Sequence, residues 1–300
     1  MFSNLTLLAQ APVLNIQLLL DGLFIGATFA LAAYGLALVW GVMNVKNLCQ
    51  GDMVILGGFI AVTLSQHGLH PILGLPVAIV ALFIYGWIVY RLIICRVIER
   101  DLFTSLLATF GLAIVMAQSM NLIFGPEVTT AESGLKTLAL FDGLVTVAEI
   151  KVVSLALAAA LATVVIVFMK RSRMGQAIRA TAQDARAARV MGIDTDRVYQ
   201  FTYALNAAIC GAAGVLISMI WTIQPFFGIS HSIRAFVIVT AAGFGNLPGV
   251  ILAGFGLGFA EQYSGFLLGA QFQQATVVGL LVVVLVARQI QQARHRRAVA

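Results

Sequence analysis

Charge is scarce in this 300-residue sequence. Asp, Glu, Lys and Arg make up 10% of it, where a soluble domain carries about 25%. With 61% hydrophobic residues and a mean hydropathy of +0.99, the chain has too little polar surface to cover a water-soluble globule, which makes it an integral membrane protein. Cysteine is scarce as well. Cys49, Cys95 and Cys210 are widely spaced and odd in number, and no CxxC occurs, so neither a disulfide framework nor a zinc site is indicated and small packing residues are expected. His67 and His70 share one loop while His231 and His295 stand alone, spacings that do not fit a metal site. No GxxxxGK[ST] is present, so the chain cannot cradle ATP phosphates by a P-loop, and no catalytic constellation is visible. Acid–base pairs are missing from the centres of the apolar runs: Asp21, Asp52, Arg234 and Glu261 fall near segment ends or irregular stretches, so no ion relay is expected. The opening MFSNLTLLAQAPVLN lacks a positive n-region, and the first span is expected to insert the chain itself.

What is present is a series of apolar runs. Eight can be marked, at Val13–Val42, Met53–Gln66, Ile72–Ile94, Leu102–Phe124, Ile150–Met169, Val198–Ile223, Ile233–Tyr263 and Phe272–Ala287. Their Leu, Ala, Val and Gly content and their lengths, near the roughly 20 residues that cross a bilayer as helix, predict an all-α polytopic fold rather than a barrel. The net charge of +6 lies between and after these runs, which is the distribution of a topology signal rather than of a nucleic-acid surface. Arg91, Arg96 and Arg100, the interval Lys170–Tyr199, and Arg294, Arg296 and Arg297 mark cytoplasmic stretches. Gly125–Glu149, with Glu127, Glu132, Asp142 and Glu149 against one Lys, faces outward. Counting back from Arg91 places the N-terminus outside. Eight crossings would then leave the basic tail outside too, so one segment must be broken or re-entrant. Ile233–Tyr263, interrupted by Gly243-Phe-Gly-Asn-Leu-Pro-Gly249, is the better candidate, and Val13–Val42 the alternative. Small residues recur at helix-packing spacing in Gly22/Gly26/Ala30, Ala207/Gly211 and Gly254/Gly258, which predicts close helix–helix contact within the chain.

Two polar stretches stand out. Between the first two runs, Asn44, Asn47, Gln50, Gly51 and Asp52 gather beside a flexible glycine, as at the broken-helix sites that transporters use for polar substrates. Asp52 is more simply read as the N-cap of the following span. The interval 170–199 holds Lys170, Arg171, Arg173, Arg179, Arg186, Arg189 and Arg197. Within it Asp184 is a good N-cap, Ala185–Met191 can form two turns, Gly192 occupies a C′ position, and Asp194 or Asp196 can cap the next span. Ala187, Ala188 and Met191 are expected to share a face, with Arg186 and Arg189 elsewhere. A short helix of this kind suits a groove on another protein; a solvated basic loop is the plainer alternative.

The run from Asp21 to Gly41, followed by Asn47-Leu-Cys-Gln-Gly-Asp-Met53 and Gly57-Gly-Phe, resembles the opening of LivH-type permeases of branched-chain amino-acid ABC importers. Those read Asn-x-Ala-His-Gly-Glu-x-x-Met here, so Cys49, Gln50 and Asp52 depart from the pattern. Arg171–Asp184 and Ala187–Asp194 are similar to the family's long cytoplasmic loop. His231-Ser-Ile-Arg-Ala-Phe236 with Gly243–Gly249 resembles its Lys-Ala-Phe and Gly-Gly-x-Gly-x-x-Pro-Gly signature, with Arg234 for the Lys and Ala242 for the first Gly.

The resemblance implies an ABC importer permease fold filling residues 1–300, with a coupling loop at 170–199, in a multi-pass protein of the bacterial inner membrane. It implies a partner permease, alike or different, two ATP-binding subunits that hold the ATP and Mg, and an extracytoplasmic substrate-binding protein. Asp184, Arg186, Ala187, Ala188, Arg189, Met191 and Gly192 are then the candidates for ATPase coupling. Asn44, Asn47, Gln50, Gly51 and Asp52, with Gly245, Asn246, Pro248 and Gly249 of the broken segment, are the candidates for the translocation path. The expected cargo is leucine, isoleucine or valine. A urea or short-amide importer, or an ion-coupled transporter or channel, are the alternatives.

Overall fold

In hydrocarbon every backbone N–H and C=O must find its partner within the chain, and a helix achieves this inside one segment. The computed structural model describes residues 12–98, 102–132, 134, 136–140, 145–243 and 246–299, and helices dominate them. In order they are α1 (Pro12–Met43), α2 (Gln50–Gln66), α3 (Gly74–Val89), α4 (Leu102–Phe124), α5 (Glu149–Arg171), α6 (Arg173–Gln183), α7 (Ala185–Val190), α8 (Thr195–Ile220), α9 (Gly228–Ala242), α10 (Leu247–Leu268) and α11 (Gln273–Val299). A π turn at Tyr90–Ile94 prolongs α3, and 3₁₀ turns at Pro71–Leu73, Pro225–Phe227 and Ala270–Phe272 precede α3, α9 and α11. The acidic interval between α4 and α5 holds an antiparallel hairpin of β1 (Thr137–Leu140) and β2 (Val145–Ala148), with Thr137 opposite Ala148, a feature the apolar pattern did not predict.

Among the described residues seven helical stretches are long and apolar enough to cross a membrane. Four of these helices fall outside that group: α6 and α7 are short and polar, and the other two have specific physical reasons. α2 is short, and α10 carries Glu261 and Gln262 in its second half. α1 and α8 are central, with 94% and 89% of their most apolar stretches buried, whereas the corresponding stretch of α11 is 6% buried and faces outward from the bundle.

The break expected in Ile233–Tyr263 is present: α9 ends at Ala242, Gly243 has φ of 92°, and α10 starts after Asn246. It reverses the chain. α9 runs alongside α1 in the same direction, His231 against Phe29 and Phe236 against Trp40. α10 runs the other way, with Gly254 against Ala30 and Gly258 against Gly22. α1, the alternative site for the break, is continuous. The extra reversal brings α11 back toward the end where α5 finishes in Lys170 and Arg171, which removes the parity conflict. The opposite end carries the hairpin interval, which joins the end of α8 where Thr129 and Ile223 exchange hydrogen bonds of 2.9 and 2.8 Å.

The small-residue stripes pack as expected. A Cβ on Gly26 would stand 2.8 Å from Gly254 O and 2.9 Å from Phe255 Cα, and one on Gly211 would meet Ala78 O at 2.9 Å. α1 therefore lies backbone to backbone against α10, and α8 against α3. Of the cysteines, Cys49 and Cys210 are buried packing residues and Cys95 is exposed.

Gly26→Val is expected to cost about 1–3 kcal/mol through overpacking and to lower the thermal unfolding midpoint in detergent. Gly256→Ala, where a Cβ meets nothing within 4 Å, should leave that midpoint unchanged; equal midpoints for both variants would refute the close α1–α10 contact.

Candidate functional site: a polar helix crossing, a buried ion pair and a cytoplasmic helix

The turn after α1 does not lie at the end of the bundle. Gln50 Nε2 donates to Ala32 O and Cys210 Sγ, both at 2.9 Å, and these residues lie well inside α1 and α8. α2 thus begins within the protein. Asn44 is exposed and adopts φ of 53° as the chain turns back. Thr109 Oγ1 of α4 then braces the turn by donating to Lys46 O and accepting from Leu48 N. Asn47, Gln50, Gly51 and Asp52 are buried.

Asp52 is not the N-cap. Cys49 occupies that position without a side-chain cap bond, and Asp52 sits in the first helical turn, where a carboxylate still complements the positive end of the helix dipole. The sequence reading began the span three residues late because Gln50 and Gly51 are polar or small.

The start of α9 meets the start of α2 at this depth. Gly51 N donates to Ser232 Oγ at 2.8 Å, and Ser232 Oγ donates to Leu48 O at 2.7 Å. The contact is close: a Cβ on Gly51 would stand 1.8 Å from Gly228 O, and one on Gly228 would stand 2.0 Å from Asp52 Oδ1. Around the crossing, Gln50 Oε1, Asp52 Oδ2 and Asn206 Nδ2 are buried without a hydrogen-bond partner among the described residues, a cluster able to hold water or a small polar ligand.

Two residues further along α9, Arg234 Nε lies 2.7 Å from Glu261 Oε1 of α10, and the two side chains are 12% and 2% exposed. The guanidinium also lies over Phe29 at 5.1 Å and Trp221 at 5.4 Å. The expectation of no acid–base pair concerned the centres of the apolar runs; this pair joins residues near the two ends of the run Ile233–Tyr263. The signal was available: Glu261 is the only acidic residue of α10, and an ionisable group in such a run calls for a partner. What the sequence did not display was that Arg234, 27 positions away, is brought opposite by the reversal at Gly243.

The second group of path candidates is arranged differently. Asn246 caps α10, accepting from Gly249 N at 3.1 Å and donating to Ala242 O at 3.3 Å, and it is exposed; Pro248 lies in the first turn. These residues build the reversal, and no hydrogen bond joins them to the buried crossing among the described residues. Gly245 lies outside the described residues.

At the end of the bundle where α5 finishes, the local anatomy follows the chain closely. Ser172 caps α6, a helix that the apolar pattern did not predict, by accepting from Gly175 N at 2.8 Å. Asp184 Oδ1 accepts from Arg186 N at 2.8 Å and Ala187 N at 3.0 Å, capping α7. Gly192 takes φ of 84° after the helix, and Asp194, rather than Asp196, caps α8. The faces differ from expectation. Ala188 is buried, while Arg186 and Ala187 are exposed, and Val190 and Met191 are 87% and 81% exposed. Arg189 turns back to Thr195 at 2.6 Å and Asp196 at 3.8 Å. Ala188 turns inward because the α7–α8 turn closes through Ile193 N to Ala188 O.

A family model described as branched-chain amino acid transport system / permease component matches residues 18–287. The chain belongs to this family. The high-affinity branched-chain amino acid transport permease LivH of Escherichia coli is 28% identical over 90% of this chain and 92% of its own length. BraD of Pseudomonas aeruginosa is 28% identical over 91% and 94%, and a probable LivH of Methanocaldococcus jannaschii is 27% identical over 85% and 83%. As a family permease with many membrane-length helices, the protein is a multi-pass component of the bacterial inner membrane.

Two predictions follow from these local geometries. Glu261→Gln strands the Arg234 guanidinium among apolar groups and is expected to destabilise by about 3–5 kcal/mol, whereas Arg234→Gln combined with Glu261→Gln should recover most of that loss; unfolding midpoints in detergent read both. Hydrogen bonds from the Arg186 and Ala187 amides hold the Asp184 carboxyl below its ordinary range. The cap is thus present above the unfolded carboxyl value of about 3.9 and is lost as pH falls through the lower folded value. Protection of the Arg186 and Ala187 amides, relative to unstructured amides at the same pH, should persist from neutral pH down to about pH 4 and be lost in Asp184→Ala; equal protection in the two proteins would refute the cap.

Proposed function

We propose that the chain is the membrane-spanning permease subunit of an ATP-driven importer for leucine, isoleucine and valine. It works with a second permease, two ATP-binding subunits that hydrolyse ATP with Mg, and an extracytoplasmic substrate-binding protein. The observation that carries this reading is α7: a helix capped at Asp184, anchored by buried Ala188, that presents Val190 and Met191 to water beside Arg186. Exposed apolar side chains on a rigid short helix at the cytoplasmic end are what a docking groove receives. ATP-driven closure of the partner subunits would press on α7. The push would pass into α8 through the Arg189–Thr195 bond and the Ile193–Ala188 turn, and α8 packs against α1, α2 and α3. The polar crossing of Asn47, Gln50, Gly51 and Asp52 is the part of the path that would rearrange.

Tagged protein is expected to co-purify with an ATPase, and Met191→Asp should weaken that capture by at least about tenfold, as loss of a buried apolar anchor does. In the reconstituted complex leucine, isoleucine or valine should stimulate ATP hydrolysis. Stimulation by urea alone would transfer the protein to a short-amide importer, and uptake unaffected by deleting residues 185–191 would sink the ATP-driven reading.

A further inference from the structure

Above the helix crossing, a cavity of about 270 Å³ lies between the end of α8, the turn Pro225–Phe227 and the starts of α9 and α11. It belongs to the outer half of the protein, because its wall continues into Ile223, the residue paired with Thr129 of the acidic outer interval. Exposed Gln274 stands at its rim, and His231 and Arg234 lie deeper. Trp221, Ser230 and Gln273 complete the wall, with Gln274 Nε2 donating to Ser230 Oγ at 3.0 Å. Arg234 is the only permanently charged side chain in the lining.

Its guanidinium is poised rather than used up. Arginine has five N–H donors, and the bond to Glu261 is made by Nε. Phe29 and Trp221 hold the group against their rings, and a planar fork held in place is suited to bidentate capture of a carboxylate. The remaining wall offers neutral hydroxyl, amide and aromatic groups, with no acid facing the cavity to repel an anion. At about 270 Å³ the cavity is close to the lower end, about 300 Å³, of small-ligand pockets.

We propose that this cavity is an outward-facing subsite for the α-carboxylate of the incoming amino acid, with Arg234 as the group that receives it and Trp221 beside it. The proposal rests on the amino-acid import reading above. It adds a selection step within the permease: cargo without a carboxylate, such as urea, finds no partner for the guanidinium.

The test uses the full chain labelled with fluorotryptophan and assembled with its unlabelled partner subunits. The chain has three Trp residues, so Trp221 is assigned by the loss of one fluorine resonance in Trp221→Phe, and Trp40 and Trp87 serve as internal controls. Leucine is expected to shift the Trp221 resonance saturably, at a concentration at least about tenfold lower than leucinamide, which keeps the ammonium and side chain but lacks the carboxylate. Arg234→Gln combined with Glu261→Gln, which removes the charge without stranding a partner, should abolish that difference. Equal responses to leucine and leucinamide, or none at Trp221, overturn the subsite. Uptake by the same complex separates the two levels: leucine imported with no Trp221 response sinks the subsite alone, and import of urea but not leucine sinks the import reading and the subsite with it.

Discussion

Two helices begin inside the bundle and cross where neither has a side chain. The first N–H groups of a helix have no partner within it, and in a hydrocarbon environment that deficit must be met by protein. Here Ser232 meets part of it, accepting from Gly51 and donating to Leu48 O. The Ser232 bridge is short enough only because Gly51 and Gly228 allow the backbones to touch. Much of the architecture depends on this contact. α2 is short because it starts at depth. α9 also starts at depth, which leaves room above it for the cavity under Trp221 and carries Arg234 to the level of Phe29.

The Arg234–Glu261 pair is costly to place in such surroundings, since two charges leave water and recover the loss only through good geometry. The guanidinium is compensated on several sides, by a carboxylate at 2.7 Å and by two aromatic faces; cation–π contacts contribute about 0.5–2 kcal/mol when desolvated. A hydrophobic pair of similar volume would hold α9 to α10 as well. Lys151 and Asp21, paired at 2.6 Å but more exposed, tie α5 to α1.

In the proposed mechanism the two ends are linked through α8. Its first turn is bonded to α7 by Arg189 and Thr195, its middle receives Gln50 through Cys210, and its last residues lead to Trp221. A displacement entering at the cytoplasmic helix thus reaches the polar crossing and the cavity through one rigid element. The unpartnered amide and carboxylate atoms around the crossing leave that region able to exchange hydrogen bonds as the helices shift.

The sequence by itself determined what local chemistry controls. The apolar runs set the helices, Asp184 and Gly192 set the ends of α7, and the Gly and Pro residues of 243–249 set the break, because each depends on neighbours a few residues away. Only the tertiary structure decided which side chains meet across elements. Gln50 and Gly51 belong to α2 because α8 and α9 satisfy them, Ala188 is inward because the α7–α8 turn closes over it, and Arg234 faces Glu261 because the chain reverses between them. Pairing across separate helices depends on their relative direction and rotation, and these are set by where glycine lets two backbones touch.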